Sequence, residues 1–596
     1  MKNSFFAKNI FKSERKGGKN NKLKSTSESE VERLVLQAMI KWDGITPLTY
    51  AEAMASKDAE NWKIAIKEEI SNLENHETFE VVDREKLPTG YIPIGCKWVF
   101  KVKLNPNRTV ERYKARLVAQ GFTQKYGIDY EETYAPVMQM TSFRWMMSLG
   151  VLESLEIDMM DITGAYLNGT LKETIFMKVP LGMDISPNKA LKLKKSLYGL
   201  KQAGRVWYDK ISTHLKENME FVSTTGDKCI FIRRVGKLIC LVALYVDDLL
   251  IIGKRDDINK TKKEIAKVFD ARDLGTASYC LGVQIAKFNN GEILIYQEKY
   301  IMELLERFKM SKCNPVNTPM MKRSMTLEKD HLGPRQESEN KLGDQYPYMN
   351  LIGALMYLSV STRPDISFAV NLLSRYNNDP CERHWSACKR ILRYLHHTKD
   401  LGIYYCKDRM SNNMLRLRIM TDAAESDLVN SKHQTGVLGF IENNLYYFQS
   451  TKQDRPQKAI TDAEQVAGMD GMYEALSARD FLDDLGLDYE KPVRLLTDSA
   501  TVIDRVINGR KTRENKHLLK RFNVMSFENN VEKSIKLEHV AGVENTSDMM
   551  TKPLEFVSFA YHRRNLNMKF LRVLQGKMLE NDIDKIKFKS LINPSG

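Results

Sequence analysis

Two adjacent aspartates, Asp247 and Asp248, interrupt the apolar run KLICLVALYVDDLLIIGK, residues 237–254. Left unpaired in an apolar setting, each carboxylate would cost several kcal/mol. At that separation the two also repel each other. Either a bound cation or a tight turn that lifts both groups toward water resolves the conflict. Two apolar strands joined by a turn at Tyr245–Asp248 make a β-hairpin with both aspartates at its tip. Such a tip is expected at an exposed edge. The run is too short to span a membrane and is charged at its centre, so no membrane is expected among the partners.

A second acidic strand end lies upstream, in LEIDMMDITGAYLNG, residues 155–169. It reads as a strand through Met160 with Asp161 at its end, and a helix starting over Ile162–Tyr166. Carboxylates from two strand ends can share divalent cations. Two such ions about 3.5–4 Å apart activate an attacking 3′-oxygen and stabilise a leaving pyrophosphate, which is what nucleotidyl transfer requires. An Asp-Asp pair alone is common in surface turns. YVDD between two apolar strands, with D-x-x-x-A-Y upstream, is far more specific.

The 596 residues suffice for several domains and at least one large core. Apolar residues make up 42% and charged residues 28%, as in a globular, soluble chain. Lys and Arg, 91 in all, exceed the 76 Asp and Glu to give a net charge of +15. That excess suits a polyanionic partner, most simply nucleic acid, although solvated lysines on an ordinary basic protein give the same balance. The eight cysteines, Cys96, Cys229, Cys240, Cys280, Cys313, Cys381, Cys388 and Cys406, are scattered and form no CxxC pair. They read as reduced thiols of an intracellular protein, with neither a disulfide framework nor a zinc site. The basic N-terminus lacks the apolar core of a secretory signal.

Around YVDD, further segments share one pattern: KWVFKVK (97–103), ERYKARLVAQGFTQKYGIDYEETYAPV (111–137), DITGAYLNG (161–169) and LKKSLYGLKQAGRVWY (193–208). YCLGVQI (279–285), MYLSVSTRPDISFAV (356–370) and HWSACKRILRYLHHTKDLGI (384–403) continue it. This text resembles the reverse transcriptase region of copia-type LTR retrotransposon pol polyproteins, over most of residues 47–555. The resemblance implies that Asp161 and Asp247 hold both metals, with Asp248 beside them in the turn that Tyr245 opens. Tyr166 would be the aromatic gate under the incoming sugar, favouring dNTP over rNTP. Gln202 would contact the incoming nucleotide and template, and Tyr245 belongs to the same substrate-binding set. Lys114 and Arg116 would reach the triphosphate, to which their chemistry is suited. YCLGVQI would be the primer-grip hairpin, bent at Gly282. Gly204 stands where the family usually has Pro, which leaves the local loop shape open.

Four more carboxylates follow. Asp422 ends the strand LRLRIMTD, Glu464 opens a helical stretch over 462–485, Asp498 ends VRLLTD, and Asp548 sits at an apparent helix start in VENTSDMMTKPL. Two strand-end aspartates and two helix-borne acids can converge on a pair of metals, as hydrolysis of the RNA strand of a hybrid needs. The order, with T-K-P-L after the last acid, resembles a copia-type ribonuclease H. Two departures stand out. AITDAEQV replaces the usual Ser-Ser-Thr-rich run before the Glu. Val543 falls near the place of the flexible histidine of cellular ribonucleases H, with His517 and His539 as the alternatives.

The implied fold class is α+β multidomain. A right-hand polymerase of fingers, palm and thumb precedes a connection and an α/β ribonuclease H-like domain. Along the chain this divides into a disordered basic arm (1–45), a reverse transcriptase (46–320), a linker or long loop (321–347), a helical connection (348–412), the ribonuclease H-like domain (413–574) and a basic tail (575–596). Within it, IPIGCKWVFKVKL (92–104) reads as a strand; TKKEIAKVFDA (261–271) and KYIMELLERFKM (299–310) read as helices. The periodic Trp62, Ile66, Ile70 and Leu73 mark another helix. KRSM (322–325) and the Lys389, Arg390, Arg393 face of helix 384–397 are candidates to line the duplex path. The resemblance further implies Mg²⁺, two per active site, with Mn²⁺ as a substitute. The partners it implies are an RNA template, an RNA/DNA hybrid, a primer and dNTPs, with integrase and capsid proteins of the same element. The implied location is a cytoplasmic virus-like particle with later nuclear entry. With no zinc knuckle, aspartic protease site or integrase finger in view, the chain reads as the last part of a polyprotein or a separate gene derived from one. The rival reading is a catalytically inactive or domesticated retroelement-derived nucleic-acid-binding protein, against which the seven intact acids argue. An RNA-templated RNA polymerase is the other rival, opposed by Tyr166 and the ribonuclease H region.

Overall fold

The computed structural model describes residues 46–577, apart from 105–108, 237, 323–329, 331, 344, 410–413, 428–431, 458 and 510–518. The basic arm over 1–45, the basic tail from 578 onward, the middle of the 321–347 linker and His517 lie outside the described residues.

The decisive run folds as strands Leu238–Tyr245 and Asp248–Gly253. They lie inside a six-stranded antiparallel sheet ordered Ala271–Thr276, Glu156–Ile162, Asp248–Gly253, Leu238–Tyr245, Ile230–Val235, Val222–Ser223. Helices Met140–Leu152 and Arg255–Ala266 pack on this palm sheet. A strand covered on both faces reads as an unbroken apolar run rather than an alternation, and Leu249, Leu250, Ile251 and Ile252 are all buried. The hairpin is therefore central, not at an exposed edge as the sequence suggested, and its two aspartates stay half-buried.

The fingers combine the hairpin Cys96–Leu104/Val110–Ala119 with a sheet of Phe79–Asp83, Lys189–Lys195 and Thr170–Lys178. Helix Ala59–Asn75 covers them with Trp62, Ile66 and Leu73 buried. The strand expected over 92–104 begins only at Cys96. Pro93 brings no N–H to a ladder, and Ile94 makes a single bridge to Met177. The expected helices shift as well: one spans Arg255–Ala266, with Asp256 and Asp257 in its first turn, and the other Glu298–Arg307.

A third sheet orders Tyr279–Cys280, Val283–Lys287, Ile293–Tyr296, Leu401–Tyr405 and Met568–Phe570, flanked by helices that include Tyr348–Ser361 and Glu382–His397. Residues 348–412, read as helical, thus end in a strand; LGIYY is buried throughout and short enough to hide behind the preceding helix pattern. The basic face of Glu382–His397 is engaged within the protein. Arg390 donates to Thr318 Oγ1 at 3.0 Å and Arg393 to the Asn314 carbonyl at 2.6 Å, which ties both to the 314–318 loop. Of KRSM, Lys322 pairs with Glu555 at 2.8 Å and the rest lies outside the described residues.

The last sheet orders Asn444–Lys452, Lys432–Ile441, Leu417–Asp427, Val493–Thr497, Ile535–His539. The first three are antiparallel, and the final two run parallel to Leu417–Asp427. Helix Ile460–Leu485 packs across them. This is a ribonuclease H-like topology. The palm seats directly on it: Trp145 lies 4.1 Å from the Tyr446 ring, and buried Arg144 donates to the carbonyls of Tyr446 (2.8 Å), Val360 (2.8 Å) and Ser361 (3.1 Å). The chain is an α+β multidomain protein of right-hand polymerase type followed by a connection and an α/β ribonuclease H-like domain.

Candidate active sites

At the palm, Asp248 pairs directly with Asp161 on the neighbouring strand and with Tyr245 across the hairpin. Opposed residues of an antiparallel ladder stand about 4.5–5.5 Å apart at Cα, so the acids share one face of the turn. Val246 takes φ +55°, a conformation a β-branched residue rarely adopts. Two bonds hold it there: Trp207 Nε1 donates to the Val246 carbonyl at 2.6 Å, and the Ile162 amide donates to the Asp247 carbonyl at 2.8 Å. Burial, and then the neighbouring acids Asp247 and Asp161, push the Asp248 carboxyl up to about 6. Asp247 is likewise raised, chiefly by burial, with Arg116 opposing.

Alternation along Val110–Ala119 buries Ala115 and Leu117 and leaves Lys114 and Arg116 on the other face. Arg116 reaches to 3.9 Å from Asp247 Oδ2 and lies 4.5 Å over the Tyr198 ring. Tyr198 donates its hydroxyl to Asp247 Oδ2 at 3.4 Å and meets Tyr166 edge-on at 4.7 Å. Lys114 is pushed down to about 8 by burial and then by the positive charges of Arg116, Lys103 and Arg112. Asp161, Tyr166, Tyr245, Asp247, Asp248 and Arg116 therefore come together, with Lys114 on the same strand face as Arg116. Gln202 does not join them. It is 1% exposed; its amide donates to the Asp129 carbonyl at 2.8 Å and accepts from Gln124 Nε2 at 3.1 Å. Both ends of the side chain are used in pinning the 124–130 loop, so it faces no substrate groove. Gly204 is the second residue of helix Ala203–Thr213, and a Cβ there would lie 3.1 Å from Ala135 Cβ.

Tyr198 and Trp207 were not singled out from the sequence, although both stand in LKKSLYGLKQAGRVWY. The available signal was an aromatic ring with a polar tip, beside a glycine in the case of Tyr198, which many core positions share. At the proposed primer grip, Gly282 adopts φ +74°, and a Cβ there would lie 2.0 Å from Tyr357 Oη. Tyr357 in turn donates to the Leu281 carbonyl at 2.6 Å.

The second acidic group also assembles. Asp422, Asp498 and Asp548 offer oxygens within 4.8 Å of one another, and Glu464, in the first turns of Ile460–Leu485, interacts with Asp422 and Asp498. Asp422 stands in the middle of Leu417–Asp427 rather than at a strand end, and is 2% exposed. Asp548 lies on a 3₁₀ turn, Thr546–Met550, not at an α-helix start. That turn rests on the sheet beside Asp422 because its partner there is Gly436. A Cβ on Gly436 would meet Met550 Cβ at 2.7 Å and the Ser547 carbonyl at 2.9 Å. Lys552 Nζ stands 2.7 Å from Asp548 Oδ1 and 3.8 Å from Asp422 Oδ2, while Thr551 donates its hydroxyl to Asp422. Both residues belong to T-K-P-L, whose chemistry the sequence left unassigned. Burial raises both Asp422 and Glu464; Lys552 opposes it at Asp422, where Asp548 and Asp498 add repulsion, and at Glu464 the repulsion comes from Asp422 and Asp498. Among the described residues, buried Glu464 Oε2 has no hydrogen-bond partner. A tight, repelling, partly unsatisfied set of oxygens fits a divalent cation. His539 is exposed at the end of its strand, opposite Thr497, and Val543 is 80% exposed.

A family model described as "Reverse transcriptase (RNA-dependent DNA polymerase)" matches residues 76–322. The retrovirus-related Pol polyprotein from transposon TNT 1-94 of Nicotiana tabacum is 36% identical over 517 residues, 86% of this chain and 38% of that one. The Pol polyprotein from transposon RE2 of Arabidopsis thaliana is 32% identical over 528 residues, 88% of this chain and 35% of that one. A putative transposon Ty5-1 protein of Saccharomyces cerevisiae is 30% identical over 280 residues, 46% of this chain and 87% of that one. The chain spans somewhat over a third of the length of the tobacco and Arabidopsis polyproteins it matches. With the acids of both centres assembled on a polymerase palm and a ribonuclease H-like sheet, and with these relatives, the chain belongs to the pol proteins of copia-type LTR retrotransposons.

Proposed function

We propose that the chain copies RNA and then DNA templates into DNA at the palm and hydrolyses the RNA of the resulting hybrid in the ribonuclease H-like domain. The observation that carries this reading is the cross-strand pairing of Asp161 with Asp248, with Asp247 beside them and Arg116 facing it. Asp161, Asp247 and Asp248 would hold Mg²⁺ at the palm, and Asp422, Glu464, Asp498 and Asp548 at the nuclease, two ions per site, with Mn²⁺ as a substitute. Bound there, the metal neutralises charge on phosphate oxygens and lowers the pKa of the attacking hydroxyl or water. The planar fork of Arg116 engages the triphosphate, and Lys114 adds a positive charge to the same face. Tyr166, packed on Tyr198, stands as a wall beneath the sugar and leaves no room for a 2′-hydroxyl. Template, primer and hybrid are held through phosphates by the basic surface, independent of sequence and sensitive to salt. Integrase and capsid proteins of the same element, in a cytoplasmic particle that later delivers DNA to the nucleus, complete the proposed setting.

Primer extension on poly(rA)/oligo(dT), run beside cleavage of the RNA in a labelled hybrid, tests the scheme. Asp247→Asn abolishes extension and spares cleavage; Asp498→Asn does the reverse. Equal loss of both activities in either variant sinks the two-centre reading. No incorporation by a protein that still binds hybrid favours the noncatalytic alternative, and preference for rNTPs favours an RNA polymerase.

A further inference from the structure

Resting on the nuclease reading above, we propose that Lys552 is a resident counter-charge that competes with the divalent cation for Asp422 and Asp548 and thereby sets how tightly the site holds its metal. Lys552 Nζ contacts both carboxylates, at 2.7 and 3.8 Å. These are two of the three acids whose oxygens cluster within 4.8 Å. A cation held by Asp422 and Asp548 would therefore compete with the ammonium for them, because two positive charges this close repel.

The placement is built into the turn. Asp548 and Lys552 stand four residues apart, and between them Thr551 bonds Asp422. Asn545, just before the turn, donates to the Thr421 carbonyl at 3.0 Å and so pins the segment to the strand that carries Asp422. Pro553 fixes the backbone that follows. The carboxylates are deep, Asp422 at 2% exposure and Glu464 at 8%, whereas the Lys552 side chain is 39% exposed. The ammonium can therefore swing out to water while the acids stay where they are. A compact, well-hydrated charge on a flexible stem suits such a role; a guanidinium fork would hold on bidentately.

The test uses Mn²⁺ alone, titrated into the full chain carrying Asp161→Asn and Asp247→Asn to remove the palm site, with free ion counted by electron paramagnetic resonance. Lys552→Met is expected to bind Mn²⁺ roughly tenfold more tightly than the Lys552 parent, and Lys552→Arg no more tightly than the parent. Without metal, the melting temperature of Lys552→Met falls; saturating Mn²⁺ restores it. Lys552→Gln gives the same comparison should Lys552→Met fail to fold. Unchanged or weaker binding in the neutral variants, or a melting loss that Mn²⁺ does not relieve, overturns the proposal and is what a merely structural lysine would give. If Asp422→Asn in the same background leaves Mn²⁺ binding intact, the cluster holds no cation, and the nuclease reading itself fails.

Discussion

Tyr198 offers a quantitative check on the palm. Tyr198→Phe removes the hydroxyl that reaches Asp247 Oδ2 at 3.4 Å and keeps the ring. A hydrogen bond to a charged acceptor contributes about 1.5–3 kcal/mol, and one this long the lower part of that or less. A loss of about 1 kcal/mol corresponds to a roughly fivefold fall in kcat/KM for the nucleotide. Tyr198→Ala takes away more. It removes the ring face under Arg116, 4.5 Å from the guanidinium, worth about 0.5–1 kcal/mol. It also removes the edge contact with Tyr166 at 4.7 Å, worth about 0.5–1.5 kcal/mol. Freed from the ring, Arg116 can close on Asp247 and is lost to the triphosphate role proposed for it. The combined fall is on the order of 10²-fold, with KM rising as well as kcat dropping. The assay is single-turnover extension of oligo(dT) on poly(rA) over a range of dTTP, with hybrid RNA cleavage by the same preparation as the control for folding. If the Phe and Ala variants extend equally well, or if cleavage falls in step with extension, Tyr198 does not position the palm chemistry.

Three further outcomes are expected. Arg144→Met strands the carbonyls of Tyr446, Val360 and Ser361 in the buried joint between palm and nuclease; unfolding by urea should show a loss of about 3 kcal/mol or more, and a loss under 1 kcal/mol contradicts the joint. Gly282→Ala, facing both φ +74° and a Cβ 2.0 Å from Tyr357 Oη, should shorten primer-extension products while hybrid cleavage in the ribonuclease H assay stays near wild type; unchanged product lengths remove the hairpin from primer handling. For Asp248, the folded carboxyl titrates near 6 and the unfolded one near 3.8. Between those values the folded chain keeps a proton that the unfolded chain has lost, so the group's stabilising contribution is full below about 4 and gone above about 6. In chelator, the melting-temperature advantage of Asp248→Asn over wild type should therefore grow between pH 4 and 6 and then level off; a constant difference contradicts the shift.

The apolar runs with acidic ends were enough to pair Asp161 with the YVDD turn, because strand ends that carry carboxylates can bury their apolar bodies in only a few ways. Periodicity found the helix of Trp62 and Leu73 for the same reason. What escaped was long-range. Nothing local in GLKQAG reveals that the 124–130 loop folds back to consume both ends of the Gln202 amide. The unbroken run LLIIG marks a strand covered on both faces, but it does not say which strands lie beside it, so the desolvation of Asp247 and Asp248 at the turn was underestimated. Asp422 looked like a strand terminus because the small residues after it, Ala423 and Ala424, carry little β signal, although cross-strand bonding to Lys432–Ile441 extends the ladder through them. The reach of Lys552 depends on the 3₁₀ turn above Gly436, a backbone shape that spacing alone does not specify.

The seating of Trp145 and Arg144 on Tyr446 has a consequence for the timing of the copying and trimming proposed above. A palm riveted to the nuclease sheet gives the two cutting and joining centres a constant separation, with the hybrid as the measuring tape laid between them. RNA remnants trailing a stalled primer end should then share one preferred length, readable on a sequencing gel, and loosening the rivet with Arg144→Met should smear that band into a ladder.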